Sequence, residues 1–155
     1  MRVYLETFGC RANQYDSEVV RAMLVRGGAE MVDDPALADA AVFNSCAVTA
    51  EAEADLRRRV RRAARLRPDI RTVVMGCASA RDPEAIGALP RVTDVIAGAG
   101  GARVAAALGI DAAGGTAGRQ AGTRGPLRIQ DGCDEHCTFC ATTLARGANR
   151  SRGAD

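Results

Sequence analysis

The residues with most chemistry to offer are six cysteines, which fall into two sets of three. Cys133, Cys137 and Cys140 lie close together in DGCDEHCTFC, while Cys10, Cys46 and Cys77 are far apart. The Cx3Cx2C spacing of the first group lets one loop wrap a cubane of iron and sulfide. Three ligands instead of four leave one iron unsaturated, which suits chemistry better than simple electron storage. A structural zinc site is the competing account. It ordinarily takes four ligands, so His136 would have to supply the fourth from between the cysteines. Phe139, just before the last cysteine, is either filler or a stacking surface beside the site, and its position favours the second.

The dispersed cysteines depend on the elements that carry them. Arg2 to Phe8 is largely alternating and β-prone, and Gly9 lets the backbone turn just before Cys10. From Asn13 to Arg26, Val19, Val20, Met23 and Leu24 recur at helical spacing, and Gly27-Gly28 stops the pattern. Ala40-Ala41-Val42-Phe43 reads as a fully buried parallel strand leading into Asn44-Ser45-Cys46. Thr49 is placed to cap the next helix. Glu51 to Arg67 carries Leu56, Val60 and Ala63 on one face before Pro68 ends it. Thr72 to Met75 is β-branched and apolar, and Gly76-Cys77 follows at once. Strand, cysteine and helix thus recur, which predicts an α/β domain with a parallel sheet flanked by helices. In such a sheet the loops after the strands share one edge, where ligands gather. Cys10, Cys46 and Cys77 are therefore expected to converge, and three thiolates there can bind three irons of a 4Fe-4S cluster and leave the fourth open. Three inert cysteines remain the alternative, because free Cys behaves as a small hydrophobe.

Val92 to Ile96 reads as a further strand and Ala102 to Leu108 as a short helix. The Gly-, Ala- and Thr-rich stretch from Gly109 to Gly125 reads as a linker. Leu127 to Gln130 is a strand candidate, with Asp131-Gly132 turning into Cys133. The expected organisation is a flavodoxin- or Rossmann-like α/β domain over 1–108, a linker over 109–126 and the opening of a second domain over 127–155. A length of 155 residues allows that and no more. With 47% hydrophobic residues and no long uncharged run, the chain reads as globular and not membrane-spanning. MRVYLETFGC lacks the pattern of a signal peptide. A reducing, cytoplasmic setting is expected, in which cysteines serve as metal ligands or redox thiols and not as disulfides.

The net charge of +2 is too balanced to indicate nucleic acid by itself, and three Phe, two Tyr and no Trp leave little surface for base stacking. Arg57, Arg58, Arg59, Arg61, Arg62 and Arg65 form a run that could contact nucleic acid. The simpler account is the solvated face of an amphipathic helix, with Glu51, Glu53 and Asp55 complementing its dipole. Arg146, Arg150 and Arg152 are equally open.

Four segments, TFGCRANQYDSE from Thr7, NSCAVTAEAE from Asn44, MGCA from Met75 and DGCDEHCTFC from Asp131, together carry a family resemblance. In this order they resemble the radical-SAM methylthiotransferases that modify tRNA or a ribosomal protein. Arg11 and Cys46-Ala47-Val48-Thr49 look most like the branch acting on threonylcarbamoyl-adenosine beside the anticodon. The branches for isopentenyl-adenosine and for a small-subunit ribosomal protein usually differ there. The resemblance implies that Cys133, Cys137 and Cys140 hold a 4Fe-4S cluster whose open iron chelates S-adenosylmethionine (SAM), with Phe139 a candidate SAM contact. It also implies that Cys10, Cys46 and Cys77 hold an auxiliary 4Fe-4S cluster carrying the sulfur to be transferred to carbon 2 of adenine. Reduction of the SAM cluster would release a 5′-deoxyadenosyl radical, suited to an unactivated aromatic C–H bond. The partners implied are tRNA, mainly through further domains, SAM and an electron donor, with no membrane.

The chain departs from the family pattern at Ala78-Ser79-Ala80, where an aromatic and a Gln are usual, and at Ala141-Thr142-Thr143, where an apolar pair and Pro are common. Family members also continue through a radical-SAM partial barrel and an RNA-binding TRAM domain. Residues 127–155 are therefore expected to be the truncated start of that barrel, and this chain alone is not expected to turn over. A non-catalytic iron-sulfur carrier is the alternative from another class.

Overall fold

Six consecutive buried residues form β3 (Ala40–Ser45), the centre of the molecule. A strand whose two faces both read apolar needs cover on both, and the sheet around it has that. The computed structural model describes residues 1–47, 49–111, 125–135, 137, 138, 140, 142–151 and 153. β1 (Arg2–Thr7) and β4 (Arg71–Gly76) flank β3; β2 (Glu30–Val32) and β5 (Val92–Ala97) close the edges. The order is β2-β1-β3-β4-β5, and every neighbouring pair is parallel.

Alternation along the strands sorts the core. Ala40, Val42, Val73 and Met75 face one side with Val3; there they meet Val20 and Leu24 of α1 (Arg11–Arg26) and Val104 of α5 (Gly101–Ala107). Ala41, Phe43 and Val74 face the other side. They meet Leu56, Val60 and Ala63 of α2 (Ala50–Leu66), Ala78 of α3 (Cys77–Arg81) and Ile86 of α4 (Pro83–Gly87). The apolar stripe expected on α2 is the buried one, and Thr49 caps that helix by accepting from the Ala52 N–H at 3.2 Å.

Two differences from the sequence reading concern pairing. The strand expected over Leu127 to Gln130 is confined to β6 (Gln130–Asp131), which pairs antiparallel with β7 (Arg150–Ser151). Leu127 and Ile129 are exposed, so no apolar face holds the longer segment in a sheet. β2 and the single 3₁₀ turn Pro35–Leu37 were absent from that reading, being too short for periodicity to reveal. Most of the expected linker, 112–124, lies outside the described residues, as do His136 and Phe139. The last helix, α6 (Thr142–Arg146), sets Ala145 into the α2-side core. Among the described residues no helix is long and apolar enough to cross a membrane.

Candidate functional site

α1 leaves β1 across one face of the sheet, and α2 leaves β3 across the other. The boundary between these neighbouring strands is therefore the point where the winding reverses, and a crevice opens there at the carboxyl ends. Cys10 stands at the N-cap of α1, Cys46 directly after β3 and Cys77 directly after β4. All three dispersed cysteines occupy the same edge.

A single amide links two of them directly and the backbone before the third. Asn13 Oδ1 accepts from the Cys10 thiol at 3.7 Å and from the Cys77 thiol at 3.9 Å, so the two sulfurs share one acceptor. Cys46 lies against Gly9: a Cβ there would fall 2.7 Å from the Cys46 sulfur, and φ is +115°. Glycine is thus required for Cys10 and Cys46 to approach this closely. Asn13 Nδ2 donates to Ser45 O at 2.7 Å and to Phe8 O at 3.1 Å, drawing together the backbones that precede Cys46 and Cys10. Asn44 in turn donates to Asn13 O at 2.7 Å, and the Ser45 hydroxyl donates to Met75 O at 2.6 Å. Gly76, with φ +101°, has no room for a side chain, since its Cβ would meet Ser45 O at 2.4 Å.

Cys46 and Cys77 are buried and Cys10 is exposed, so the trio opens to one side. Burial pushes the Cys77 thiol up; Arg146 opposes this, and the Cys46 and Cys10 sulfurs are near enough to add to it. The donors gathered here are thiols, the ligand chemistry of an iron-sulfur cluster. The exposed Cys10 leaves one side of the edge open, and the donor chemistry of the trio fits such a group. Among the described residues no three His, Cys, Asp or Glu side chains are disposed to hold a single metal ion.

The second set is arranged differently. Cys133, Cys137 and Cys140 follow β6 on one loop that ends at α6; Cys137 and Cys140 are exposed. The Cys140 N–H donates to Cys137 O at 3.1 Å, and the Cys133 N–H to Gly147 O at 3.1 Å. Hydrogen bonding with the Thr142 hydroxyl and the Thr142 N–H lowers the Cys140 thiol, favouring the thiolate that a metal takes.

Arg146 joins the two sets. It is 8% exposed and donates to Asn13 Oδ1 at 3.0 Å, to Asp16 Oδ2 at 2.9 Å and to Asp131 Oδ1 at 2.9 Å. Asp16, 1% exposed, also pairs with Arg128, whose guanidinium lies over the Tyr15 ring at 4.8 Å. Burial raises the Asp16 carboxyl, with the two guanidiniums opposing it. Burial acts to lower Arg146, but Asp16, Asp131 and the Cys77 sulfur more than reverse this, so its guanidinium is held charged. A cavity of about 370 Å³ lies at this junction, bordered by Cys10, Tyr15, Arg128 and Arg146.

Residues 2–98 match the family described as uncharacterized protein family UPF0004. The chain belongs to this family. Relatives of this UPF0004 chain include the threonylcarbamoyladenosine tRNA methylthiotransferase MtaB of Rickettsia prowazekii (strain Madrid E), 30% identical over 97% of this chain and 37% of the relative. The protein of the same name from Bacillus subtilis (strain 168) is 32% identical over 97% of this chain and 38% of its own length. A tRNA-2-methylthio-N(6)-dimethylallyladenosine synthase from Chloroherpeton thalassium (strain ATCC 35110 / GB-78) is 32% identical over 97% and 38%. The chain therefore spans about two fifths of the length of these curated relatives, whose names are those of the family that the cysteine motifs resemble.

Asn13, Asp16, Arg128 and Arg146 were not singled out as a site from sequence. One signal was present. Asn13, Asp16 and Ser17 continue, toward the N-terminus, the same helical stripe as Val20, Met23 and Leu24, and all six are buried. Polar residues on the buried stripe of a helix mark a network instead of a solvated face.

Proposed function

We propose that this chain is the cysteine-bearing part of a tRNA methylthiotransferase acting at carbon 2 of threonylcarbamoyl-adenosine. The observation that carries the reading is the gathering of Cys10, Cys46 and Cys77, from three parallel strand ends, around Asn13. Arg11 and Cys46-Ala47-Val48-Thr49 favour the threonylcarbamoyl branch, and relatives bearing that name match along nearly the whole chain. In this reading Cys10, Cys46 and Cys77 would hold the auxiliary 4Fe-4S cluster, and Cys133, Cys137 and Cys140 the cluster that binds SAM, with Phe139 beside it. When bound, these groups would supply the sulfur and, with a reductant, the radical that opens an aromatic C–H bond.

The chain's own residues position and shield. Asn13 keeps the first two loops in register through Phe8 O and Ser45 O, and its carbonyl faces Cys10 and Cys77. Arg146 places a fixed positive charge beside the trio, where thiolates concentrate negative charge. Its bonds to Asp16 and Asp131 fix the second cysteine loop relative to the first. Water is excluded from Cys46 and Cys77 by packing, and access is through the Cys10 side. The domain limits proposed are 1–108, 109–126 and 127–155; tRNA, SAM and an electron donor are the partners, in a cytoplasmic setting.

Anaerobic reconstitution with iron and sulfide tests the ligand assignment. The wild-type chain is expected to take up two clusters, and Cys46→Ala and Cys137→Ala to lose one each. With a reductant and SAM, the product of the longer coding sequence is expected to release 5′-deoxyadenosine and to leave methylthio-threonylcarbamoyl-adenosine in tRNA, read by mass spectrometry. Uptake of stoichiometric zinc into a colourless protein would overturn the reading. Reversible bleaching without SAM cleavage would assign an iron-sulfur carrier instead.

A further inference from the structure

We infer that the groove beside α2 is a binding site for the phosphate backbone of an RNA strand. This deepens the reading of tRNA as substrate and rests on it. The groove has a volume of about 700 Å³; Arg58, Arg59, Arg61, Arg62 and Arg65 line it together with Thr7 and Phe8 at the end of β1.

The charge in this groove is not self-compensated. Arg59 pairs with Glu6 at 3.3 Å and Arg58 with Asp55, which uses both carboxylates of the lining. Arg61, Arg62 and Arg65 are exposed, and among the described residues none has a carboxylate partner. A solvated amphipathic helix usually interleaves acids and bases, because like charges three or four residues apart are unfavourable. α2 does the opposite: its acids stand in the first two turns at Glu51, Glu53 and Asp55, and everything charged beyond is arginine. The structure thus favours a ligand-binding role for the run over a merely solvated face.

Geometry selects the ligand. Arg58 to Arg65 covers about 10 Å of helix, long enough for several guanidiniums to meet successive phosphates of one nucleic-acid strand, whose dense negative charge is what an uncompensated arginine track neutralises. The adjoining cavity shares Glu6, Arg59 and Arg62 but adds Asp33 and Asp34, so the positive track ends on that side. At the other end Phe8 is two residues from Cys10. A strand lying in the groove is therefore led to the thiol edge, where an adenine would have to be presented.

The test uses the full chain and a fluorescein-labelled tRNA anticodon stem-loop, followed by anisotropy from 50 to 200 mM salt. Arg61→Gln, Arg62→Gln and Arg65→Gln combined are expected to reduce the salt slope by about 2.1 to 2.7, which is roughly a 20- to 40-fold difference across that range. The corresponding triple Lys variant is expected to keep most of the slope, as is Arg26→Gln on α1. A second measurement needs no variant: RNA is expected to protect Arg61, Arg62 and Arg65 of the wild-type chain from phenylglyoxal. Unchanged affinity and slope in a folded triple Gln variant would overturn the inference, as would protection by a polyglutamate peptide but not by RNA. Iron uptake on the dispersed cysteines without arginine protection would reject the groove and leave the methylthiotransferase reading standing. Protection without iron uptake would support the groove and reject that reading.

Discussion

Removal of the Arg146 side chain is expected to detach the second cysteine segment while leaving the parallel sheet intact. Arg146→Ala deletes three charge-assisted hydrogen bonds and leaves Asp16, 1% exposed, with Arg128 as its remaining ion-pair partner. Breaking a buried ion pair by removing one partner costs about 3–5 kcal/mol. Arg128 still serves Asp16 Oδ1, so the lower end, about 3 kcal/mol, applies. None of the lost bonds lies within the sheet. The expected result is therefore local: opening of the segment carrying β6, α6 and β7 rises roughly 100-fold, at a tenfold change per 1.4 kcal/mol. Amide exchange on the metal-free chain reads this directly, with protection lost around Cys133 and Gly147 and retained in β3 and β4. Tryptic cleavage after Arg128 should accelerate in parallel. Arg146→Met combined with Asp16→Asn removes both charges and is expected to recover part of the loss. Equal exchange in wild-type and Arg146→Ala proteins, or uniform loss across the sheet, would refute the reasoning.

Gly9→Ala is expected to lower iron uptake by the dispersed cysteines and to destabilise by about 1–3 kcal/mol through its positive φ; Gly28→Ala, with φ +84° and nothing within 4 Å, is the control for backbone strain without the clash on Cys46. In the metal-free chain iodoacetamide should label Cys10, Cys137 and Cys140 before the buried Cys46 and Cys77, as read by peptide mass spectrometry; equal rates at Cys46 and Cys10 would contradict the packing. Burial and then the bond to Glu6 push the Tyr4 hydroxyl up from its ordinary value to about 12. The folded state holds this proton more tightly than the unfolded state, so its contribution is complete below pH about 10 and declines as pH rises through about 12. Tyr4→Phe should flatten that part of a denaturation-against-pH profile. Leu56→Ala, at 0% exposure, should cost about 2–5 kcal/mol and lower Tm, by about 2–4 °C per kcal/mol, without changing the alkylation order.

The sheet was legible because its signals are local. Ala40 to Phe43 is unbroken apolar sequence, α2 shows its stripe at Leu56, Val60 and Ala63, and Cys10, Cys46 and Cys77 each follow a strand. Parallel order then follows from alternation of strands and helices, and the common edge of Cys10, Cys46 and Cys77 from parallel order. The pairing of the second segment was not legible. β6 and β7 are two residues each and separated by the cysteine loop, so no periodicity exists to read. Arg146 was seen in the sequence but its partners were not, since an ion pair between positions 16 and 146 depends on how two segments dock. Its chemistry is ordinary; only the fold makes it particular.

Docking explains why the polar stripe on α1 is where it is. α1 begins at Cys10 without a side-chain cap and without an acid in its first turn, so its positive dipole end is left at the thiol edge. A buried carboxylate one turn further along, at Asp16, would be unfavourable there if unpaired. Arg128 and Arg146 pair with it from the second segment, and Arg146 extends to Asn13, whose carbonyl faces two of the thiols. The same contacts that satisfy Asp16 therefore bring a second positive charge to the edge where sulfur ligands accumulate negative charge. Separating the two cysteine segments would leave Asp16 unpaired and remove that charge together. Segment docking and the electrostatics of the thiol edge are one equilibrium, and a substitution at Asp16, Arg128 or Arg146 acts on both.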